Sequence, residues 1–388
     1  MRFLRLIVSW FYGVAVTVRN LLFDEHILYS SNAPLPTICI GNLAAGGTGK
    51  TPHTEFLARE LSKKYKVAIL SRGYKRKTHG FYLADENSTA LTIGDEPMQM
   101  YINLNKSSYS VETQHCHVSP EEPKTNGNEV IVAVCENRLY GIKRLKQLYP
   151  DLQAVILDDG MQHRQLRCGM YLLLTAADNL YVHDRFLPYG TLRDNRHSSL
   201  RANLIVVTKC PESMQPIDRR VIETSLKIPQ YQQLFFSYLQ YGELYPLAEG
   251  VEQKTVRKVL VLTAIANPEP MLEYLRSRYT VVKTLAFPDH HNFSGKDVEN
   301  IARVYAESAC DAIVTTEKDA VRLRCNSYYT EALMTNTLIL PVSVDFKSQK
   351  DQFMKPVLQY LANQYPTPLS HTIPAENTEE TGKPHAQL

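Results

Sequence analysis

The 388-residue chain has no Cys-x-x-Cys pair, no Asn-Lys-x-Asp element, no marked excess of either charge, and no apolar run approaching the roughly 20 residues a membrane-spanning helix requires. Each absence narrows the field. The seven cysteines (Cys39, Cys116, Cys135, Cys168, Cys210, Cys310 and Cys325) are odd in number and scattered, which argues against a disulfide framework and against a zinc site. They read as small buried apolar residues in a reducing cytosol. Lys and Arg total 43 against 40 Asp and Glu, a net charge of +3, so charge alone makes no case for a nucleic-acid partner. Any positive patch is local.

The chain does contain an ordinary soluble composition, 44% hydrophobic and 21% charged, over a length that supports more than one core. Short apolar, β-branched runs at 37–40, 67–70, 130–134, 154–157, 171–174, 204–207, 259–263 and 312–315 alternate with longer helical stretches. That alternation predicts an α/β fold with a largely parallel sheet. An extended segment around Gly242 separates two such series. The expected organisation is an N-terminal membrane-associating helix at 1–27, a larger domain at 28–233, a β linker at 234–250, a smaller α/β domain at 251–365 and a disordered tail at 366–388. Residues 112–128 read as a surface loop.

Between Arg5 and Arg19 the chain carries no charge. On a helix, Arg5, Ser9, Tyr12 and Arg19 fall near one side and Leu4, Ile7, Phe11, Val14, Val18 and Leu22 near the other, with Trp10 at the boundary. This is the pattern of a helix lying in a membrane interface, its arginines placed for anionic headgroups. The alternative is a helix docked on the protein's own core. A signal peptide is set aside, because Ala15-Val16-Thr17 is a poor cleavage site and the nucleotide site downstream would be useless outside the cell.

The run 37–40 leads into Gly46-Gly47-Thr48-Gly49-Lys50-Thr51-Pro52 and a helical stretch to Leu61. In this strand, turn and helix context, Gly46, Gly47, Thr48 and Gly49 let backbone N–H groups approach phosphate oxygens, Lys50 neutralises the β- and γ-phosphates, and Thr51 ligates Mg²⁺. Ala44 stands where the usual pattern has its first Gly. A chance surface loop is the alternative. Val207-Thr208-Lys209-Cys210 and Thr315-Thr316-Glu317-Lys318-Asp319 both end strands without a guanine-reading element, which favours ATP over GTP.

Asp158 and Asp159 follow the strand at 154–157, where P-loop proteins hold a metal and its waters. Asp158 is the metal candidate; Asp159 and Gln162 either position substrate or cap the next turn. Gly94-Asp95-Glu96-Pro97 precedes a helix, so Asp95 taken alone reads as its N-cap. Phe287-Pro288-Asp289-His290-His291 supplies imidazoles that could orient such a carboxylate as a general base, although adjacent histidines in a loop are usually solvated.

Taken in order, Arg19-Asn20, the segment 46–52, Ser71-Arg72-Gly73-Tyr74, the segment 94–97, Asp158-Asp159-Gly160-Met161-Gln162-His163, Leu187-Pro188-Tyr189-Gly190-Thr191-Leu192-Arg193, the segment 287–291 and Thr316-Glu317-Lys318-Asp319 resemble the tetraacyldisaccharide 4′-kinase family of lipid A synthesis. The resemblance reaches to about residue 325. It implies two α/β/α domains joined by a two-stranded β linker, with the P-loop in the larger one. It implies phosphoryl transfer from Mg-ATP to the 4′-hydroxyl of a disaccharide-1-phosphate lipid, by a monotopic enzyme on the cytosolic face of the inner membrane. Asp95 then looks like the base, with His290 ahead of His291 as its partner, and Arg72, Glu96, Arg138, Asp159 and Gln162 are candidate substrate contacts. No nucleic acid and no obligate protein partner are expected.

Two features depart from the family pattern: Met161 replaces a larger apolar residue, and 111–128 is longer than expected. Because His290 lies across the linker from Lys50, the domains are expected to close around ATP. The competing reading is a P-loop ATPase or GTPase switch acting on a protein partner. A non-catalytic adaptor fits poorly with Lys50, Thr51 and Asp158 all intact.

Overall fold

The computed structural model describes residues 2–105, 129–248, 250–251 and 255–365. The expected loop at 112–128 and tail at 366–388 lie outside the described residues.

The larger sheet has eight strands: β1 (Thr37–Asn42), β2 (Val67–Ser71), β3 (Tyr82–Leu83), β4 (Ile131–Val134), β5 (Ala154–Asp158), β6 (Met170–Ala176), β7 (Leu204–Thr208) and β8 (Gln233–Phe236). Across the sheet they run β8-β7-β6-β1-β5-β2-β4-β3, parallel throughout except for the short β3. These strands are apolar on both sides because both faces are covered. Ile38, Ile40, Ile69, Ile156, Leu172 and Val206 enter one core, while Cys39, Leu70, Val155, Leu157, Leu173 and Val207 enter the other. The winding reverses at β1, which lies between β5 and β6, and such a reversal opens a crevice at the strand's carboxyl end. The expected α/β class is therefore the one found.

Apart from a short parallel pair at Ser31–Asn32 and Leu166–Arg167, the remaining strands among the described residues are β9 (Tyr238–Tyr241), β10 (Tyr245–Pro246), β11 (Lys258–Thr263), β12 (Thr280–Ala286), β13 (Ala312–Thr316), β14 (Thr337–Leu340) and β15 (Val342–Asp345). A second sheet runs β10-β14-β13-β11-β12, with Leu260 and Leu262 in one core and Val259 and Val261 in another. β9 and β15 pair antiparallel as a separate ribbon between the two lobes, Tyr238 opposite Asp345 and Tyr241 opposite Val342.

The helices include α1 (Arg2–Asp24), α2 (Lys50–Ser62), α3 (Asp95–Leu104), α4 (Glu317–Arg324) and α5 (Lys350–Gln364). The expected boundaries need two corrections. Residues 234–236 are not linker but part of β8, because β7 offers a free parallel edge with Leu234 opposite Ile205. The chain also crosses the ribbon a second time: Phe346 and, from α5, Phe353, Met354, Val357 and Leu361 lie in the core of the larger sheet with Ile38 and Leu57. The Phe346 and Phe353 rings stack with centroids 4.1 Å apart. Burying side chains of this size contributes about 1.5–3 kcal/mol each, which favours the return of α5 over leaving it on the smaller lobe.

Helix α1 docks by its polar side. Ser9 Oγ donates to Phe186 O at 2.7 Å, Tyr12 OH to Arg193 O at 3.2 Å, Arg19 Nη2 to Gln162 O at 2.9 Å and Asn20 Nδ2 to Asp194 Oδ1 at 2.7 Å. Gly13 admits the Phe186 ring where a Cβ would collide with it. The apolar side faces outward, with Phe3, Leu4, Trp10 and Phe11 exposed by 76%, 65%, 64% and 62%. The expectation that no apolar stretch approaches membrane-spanning length needs correcting: with 23 residues and a mean hydropathy of 1.6 over its most apolar window, α1 is long and apolar enough to cross a membrane by length and composition. Its polar tethers, which also include Arg164 on Asn20 O and on Asp24, hold it along the larger lobe.

Candidate active site

β1 ends at Asn42 and the chain turns into α2 through 43–49. Gly46 (φ +112°) and Gly49 (φ +84°) adopt conformations that a side chain disfavours. Gly49 is the N-cap of α2 and contributes no side-chain hydrogen bond, which leaves the first N–H groups of the helix open to an anion. The loop is braced from behind. Asn42 Nδ2 donates to Thr48 Oγ1 at 2.7 Å, Thr208 Oγ1 at the end of β7 donates to Thr48 O at 2.9 Å, and Thr48 N donates to Gly46 O at 3.0 Å. Thr48 is thus engaged in shaping the loop. Buried His53 bonds Gly49 O at 2.7 Å and the Ser237 hydroxyl at 2.9 Å. Burial depresses His53 to about 4, so it acts as a neutral strut near neutral pH.

Lys50 Nζ lies 3.5 Å from Asn42 Oδ1. A second ammonium, Lys209, reaches the loop from the end of β7: its Nζ is 3.8 Å from where a Cβ on Gly47 would sit. Burial lowers its pKa, against a smaller opposing effect of Asp178.

The floor of the cleft is acidic. Buried Asp158 accepts from Ser71 Oγ at 3.1 Å and from Thr54 Oγ1 at 3.4 Å. Burial, joined by the charges of Glu96 and Asp159, pushes Asp158 up to about 7 despite Lys50 and the Ser71 hydroxyl. Asp159 takes a left-handed conformation (φ +53°) and is gripped by both Nη atoms of Arg193, Nη1 at 2.9 Å. Arg193 Nη2 also donates to Asn42 Oδ1, tying the acidic segment to the base of the loop. Burial would raise Asp159, but Lys50 and Arg193 outweigh it and hold the carboxyl below its usual range. Gln162 Nε2 donates to Asn42 O at 2.7 Å. Neither Asp159 nor Gln162 caps a turn. Arg138 is buried with Nη1 on Cys135 O at 2.5 Å, so it meets the two aspartates through its field, whereas Arg72 is exposed just past β2. Thr51, in the first turn of α2, and Asp158 are the residues that fit a hard divalent cation.

The third element joins the lobes. α3 is capped by Gly94 (φ +97°) and begins at Asp95, whose side chain is therefore free of the capping role the sequence suggested. Asp95 Oδ2 accepts from His290 Nδ1 at 3.1 Å and from Arg322 Nε at 2.7 Å, both of the smaller lobe. Lys318 Nζ lies 3.0 Å from His290 Nε2 and 3.2 Å from Glu96. An ammonium has only hydrogens to offer, so Nε2 accepts and Nδ1 carries the hydrogen donated to Asp95. Burial would raise Asp95, but His290 and Arg322 outweigh it and hold it below the ordinary carboxylate range. His291 faces elsewhere, 3.1 Å from Asp297 and stacked on Phe287. Glu96, adjacent to Asp95, is near enough to Asp158 for its charge to raise that carboxyl.

Asn42, His53, Arg193, Lys209 and Arg322 carry no role in the sequence reading. Arg193 and Lys209 lay inside quoted segments. Arg322 had one available signal, its position three residues beyond Asp319, which on a helix puts both on one side.

The sequence model of the tetraacyldisaccharide-1-P 4′-kinase family matches residues 1–118 and 123–362. Relatives named tetraacyldisaccharide 4′-kinase from Bacteroides thetaiotaomicron and Flavobacterium johnsoniae are each 40% identical, over 371 and 353 residues, covering 91% and 90% of this chain and 92% and 94% of theirs. The crystal structure of LpxK from Aquifex aeolicus in complex with ATP is similar with a TM-score of 0.66 at 25% identity, covering 92% of this chain and 98% of that one. With these matches spanning both lobes, the chain belongs to the tetraacyldisaccharide 4′-kinase family.

Proposed function

We propose that the protein transfers the γ-phosphoryl group of ATP to the 4′-hydroxyl of a tetraacylated disaccharide 1-phosphate during lipid A synthesis, at the cytosolic face of the inner membrane. The observation that carries this reading is the pairing of Asp95 with His290 across the lobes, on the helix whose Glu96 acts on the buried Asp158 carboxyl that Lys50, at the open N-terminus of α2, also acts on.

In this mechanism the loop N–H groups and Lys50 hold the β- and γ-phosphates, while Arg193 keeps Asp159 and Asn42 in register beneath them. Thr51 and Asp158 would hold Mg²⁺, Asp158 as a carboxylate and Thr51 through its hydroxyl oxygen, the donor types a hard divalent cation takes. When bound, Mg²⁺ supplies charge neutralisation at the β- and γ-phosphoryl oxygens. Among the described residues no hydrogen bond reaches Asp95 Oδ1, which leaves that oxygen to accept the sugar hydroxyl's proton as the alkoxide oxygen bonds to phosphorus and ADP departs. The test is transfer of label from γ-labelled ATP to a tetraacylated disaccharide 1-phosphate in detergent. Label appearing only as free phosphate, and only with a protein partner, would overturn this reading in favour of a nucleotide switch.

Two features support a lipid acceptor bearing phosphate. The outward apolar side of α1 continues into Ile27 and Tyr29, 70% and 82% exposed, an arrangement that calls for another apolar phase. Exposed Lys75 borders His290, its Nζ 3.5 Å from the His290 carbonyl oxygen, and Arg72 and Lys77 are exposed on the same segment of chain. Because the tethers of α1 are polar, charge can be placed on its apolar side without breaking them. A Phe3→Glu, Trp10→Glu, Phe11→Glu variant is expected to lose liposome binding by about tenfold or more in flotation assays, with the KM for ATP unchanged. Undiminished liposome binding would remove α1 from the membrane role.

A further inference from the structure

The segment Thr316-Glu317-Lys318-Asp319 was legible as a motif without an assigned task, and the structure shows what it builds. Thr316 caps α4, accepting from Asp319 N at 3.1 Å and donating to Asp319 Oδ2 at 2.8 Å. Asp319 Oδ2 also accepts from Ala264 N at 3.0 Å, and the residue is fully buried. One helical turn on, Arg322 Nη1 donates to Asp319 Oδ1 at 3.1 Å and to His291 O at 3.3 Å. The guanidinium, on a side chain only 6% exposed, is thereby fixed from behind, and its Nε points across the lobe boundary to Asp95 Oδ2 at 2.7 Å.

We propose that Arg322 is a positioning residue for phosphoryl transfer: anchored by Asp319, it shares Asp95 Oδ2 with His290 and so turns Oδ1 of Asp95 toward the acceptor hydroxyl. The inference rests on Asp95 as the base. Two donors on one carboxylate oxygen fix the plane of the carboxyl more firmly than His290 alone, because each removes a direction in which Oδ2 can swing. A second observation points the same way. Arg322 Nη2 is buried and has no hydrogen-bond partner among the described residues, and by covalent geometry its hydrogen lies on the same edge of the guanidinium as the Nε hydrogen. It is a donor left for an oxygen that arrives beside Asp95, as the acceptor's would.

Arg322 also sets the charge at the base. The titratable and charged groups around Asp95 are Glu96 on its own helix, Asp289 and His290 on the loop after β12, and Lys318, Asp319 and Arg322 on α4 followed by Cys325. Arg322 and His290 are the two that hold the Asp95 carboxyl down. Removing Arg322 therefore raises the Asp95 pKa, and since the base works deprotonated, the acidic limb of the kcat–pH profile moves to higher pH.

The experiment compares the intact protein with Arg322→Gln, Arg322→Lys and Asp95→Asn, using ATP and a tetraacylated disaccharide 1-phosphate in detergent across pH, with thermal melting of each variant. Arg322→Gln is expected to lower kcat by roughly 10- to 100-fold with the KM for ATP within about twofold, and to move the acidic limb upward. Arg322→Lys should recover part of the rate, because it restores the charge without the fork. An unchanged kcat, or a loss of rate that follows the melting temperature with the acidic limb in place, would overturn the positioning role. Should Arg322→Gln prove insoluble, Arg322→Lys carries the test: a smaller upward movement of the limb supports the role, and an unmoved limb at full rate overturns it. If Asp95→Asn keeps near-normal turnover, the base assignment itself fails; if Asp95→Asn is inactive while Arg322→Gln is unimpaired, only the role of Arg322 fails.

Discussion

Lys50→Met is expected to leave the protein folded and to reduce phosphoryl transfer by about three orders of magnitude. The side chain contributes little to the fold, since among the described residues its one hydrogen bond is a 3.5 Å contact to Asn42 Oδ1. Its electrostatic share is larger. Lys50 opposes the rise of Asp158 and is foremost among the charges that lower Asp159, so its loss leaves two carboxylates facing incoming phosphates with one cation fewer to offset them. Turnover of labelled ATP onto the lipid, measured beside a melting curve, decides the matter. Activity within tenfold of the intact protein would remove Lys50 from the chemistry and shift attention to Lys209, the other ammonium beside the loop.

Asp95→Asn is expected to lower kcat by about 10²- to 10⁴-fold, the range lost when a positioned general base is removed. Unlike the lysine variant, it should leave the KM for ATP nearly intact, because Asp95 belongs to the acceptor side of the cleft. Asn is the informative replacement. Removing the acceptor altogether would leave the buried Arg322 Nε without its partner, with Asp319 alone facing the guanidinium, a defect of about 1–3 kcal/mol that would confuse catalysis with stability. The amide keeps an oxygen for Arg322 and His290 and removes only the ability to take a proton. Turnover within a few-fold of normal, with melting unchanged, would show that the hydroxyl loses its proton to some other group.

The elements legible in the sequence are those whose physics is local. Apolar runs of four or five residues between turn signals became β1, β2, β4, β5, β6, β7, β11 and β13 because strands buried on both faces need no alternation. The loop at 46–51 was legible because its glycines, lysine and threonine act within one turn. The environment of Asp95 and of the two histidines was not. Nothing in Gly94-Asp95-Glu96-Pro97 separates a cap from a base; that distinction depends on Gly94 taking the capping position and on His290 and Arg322 arriving from residues 195 and 227 positions away. Likewise nothing in His290-His291 says which ring faces the cleft. Arg193 reads as one more surface arginine until Leu192 bridges to Ala44 and brings its guanidinium under the loop.

The sequence by itself determined the α/β class, the glycine-rich turn after β1, the acidic end of β5 and the apolar stripe of α1, since each follows from residue type at short spacing. Tertiary structure decided that α1 docks by its polar side, that α5 returns to the larger core, and that Asp95, His290 and Arg322 share one oxygen. The reason is range. Backbone conformation and amphipathic period act over one or two turns, whereas which apolar face meets which sheet, and which charges face one another, depends on contacts between residues far apart in the chain.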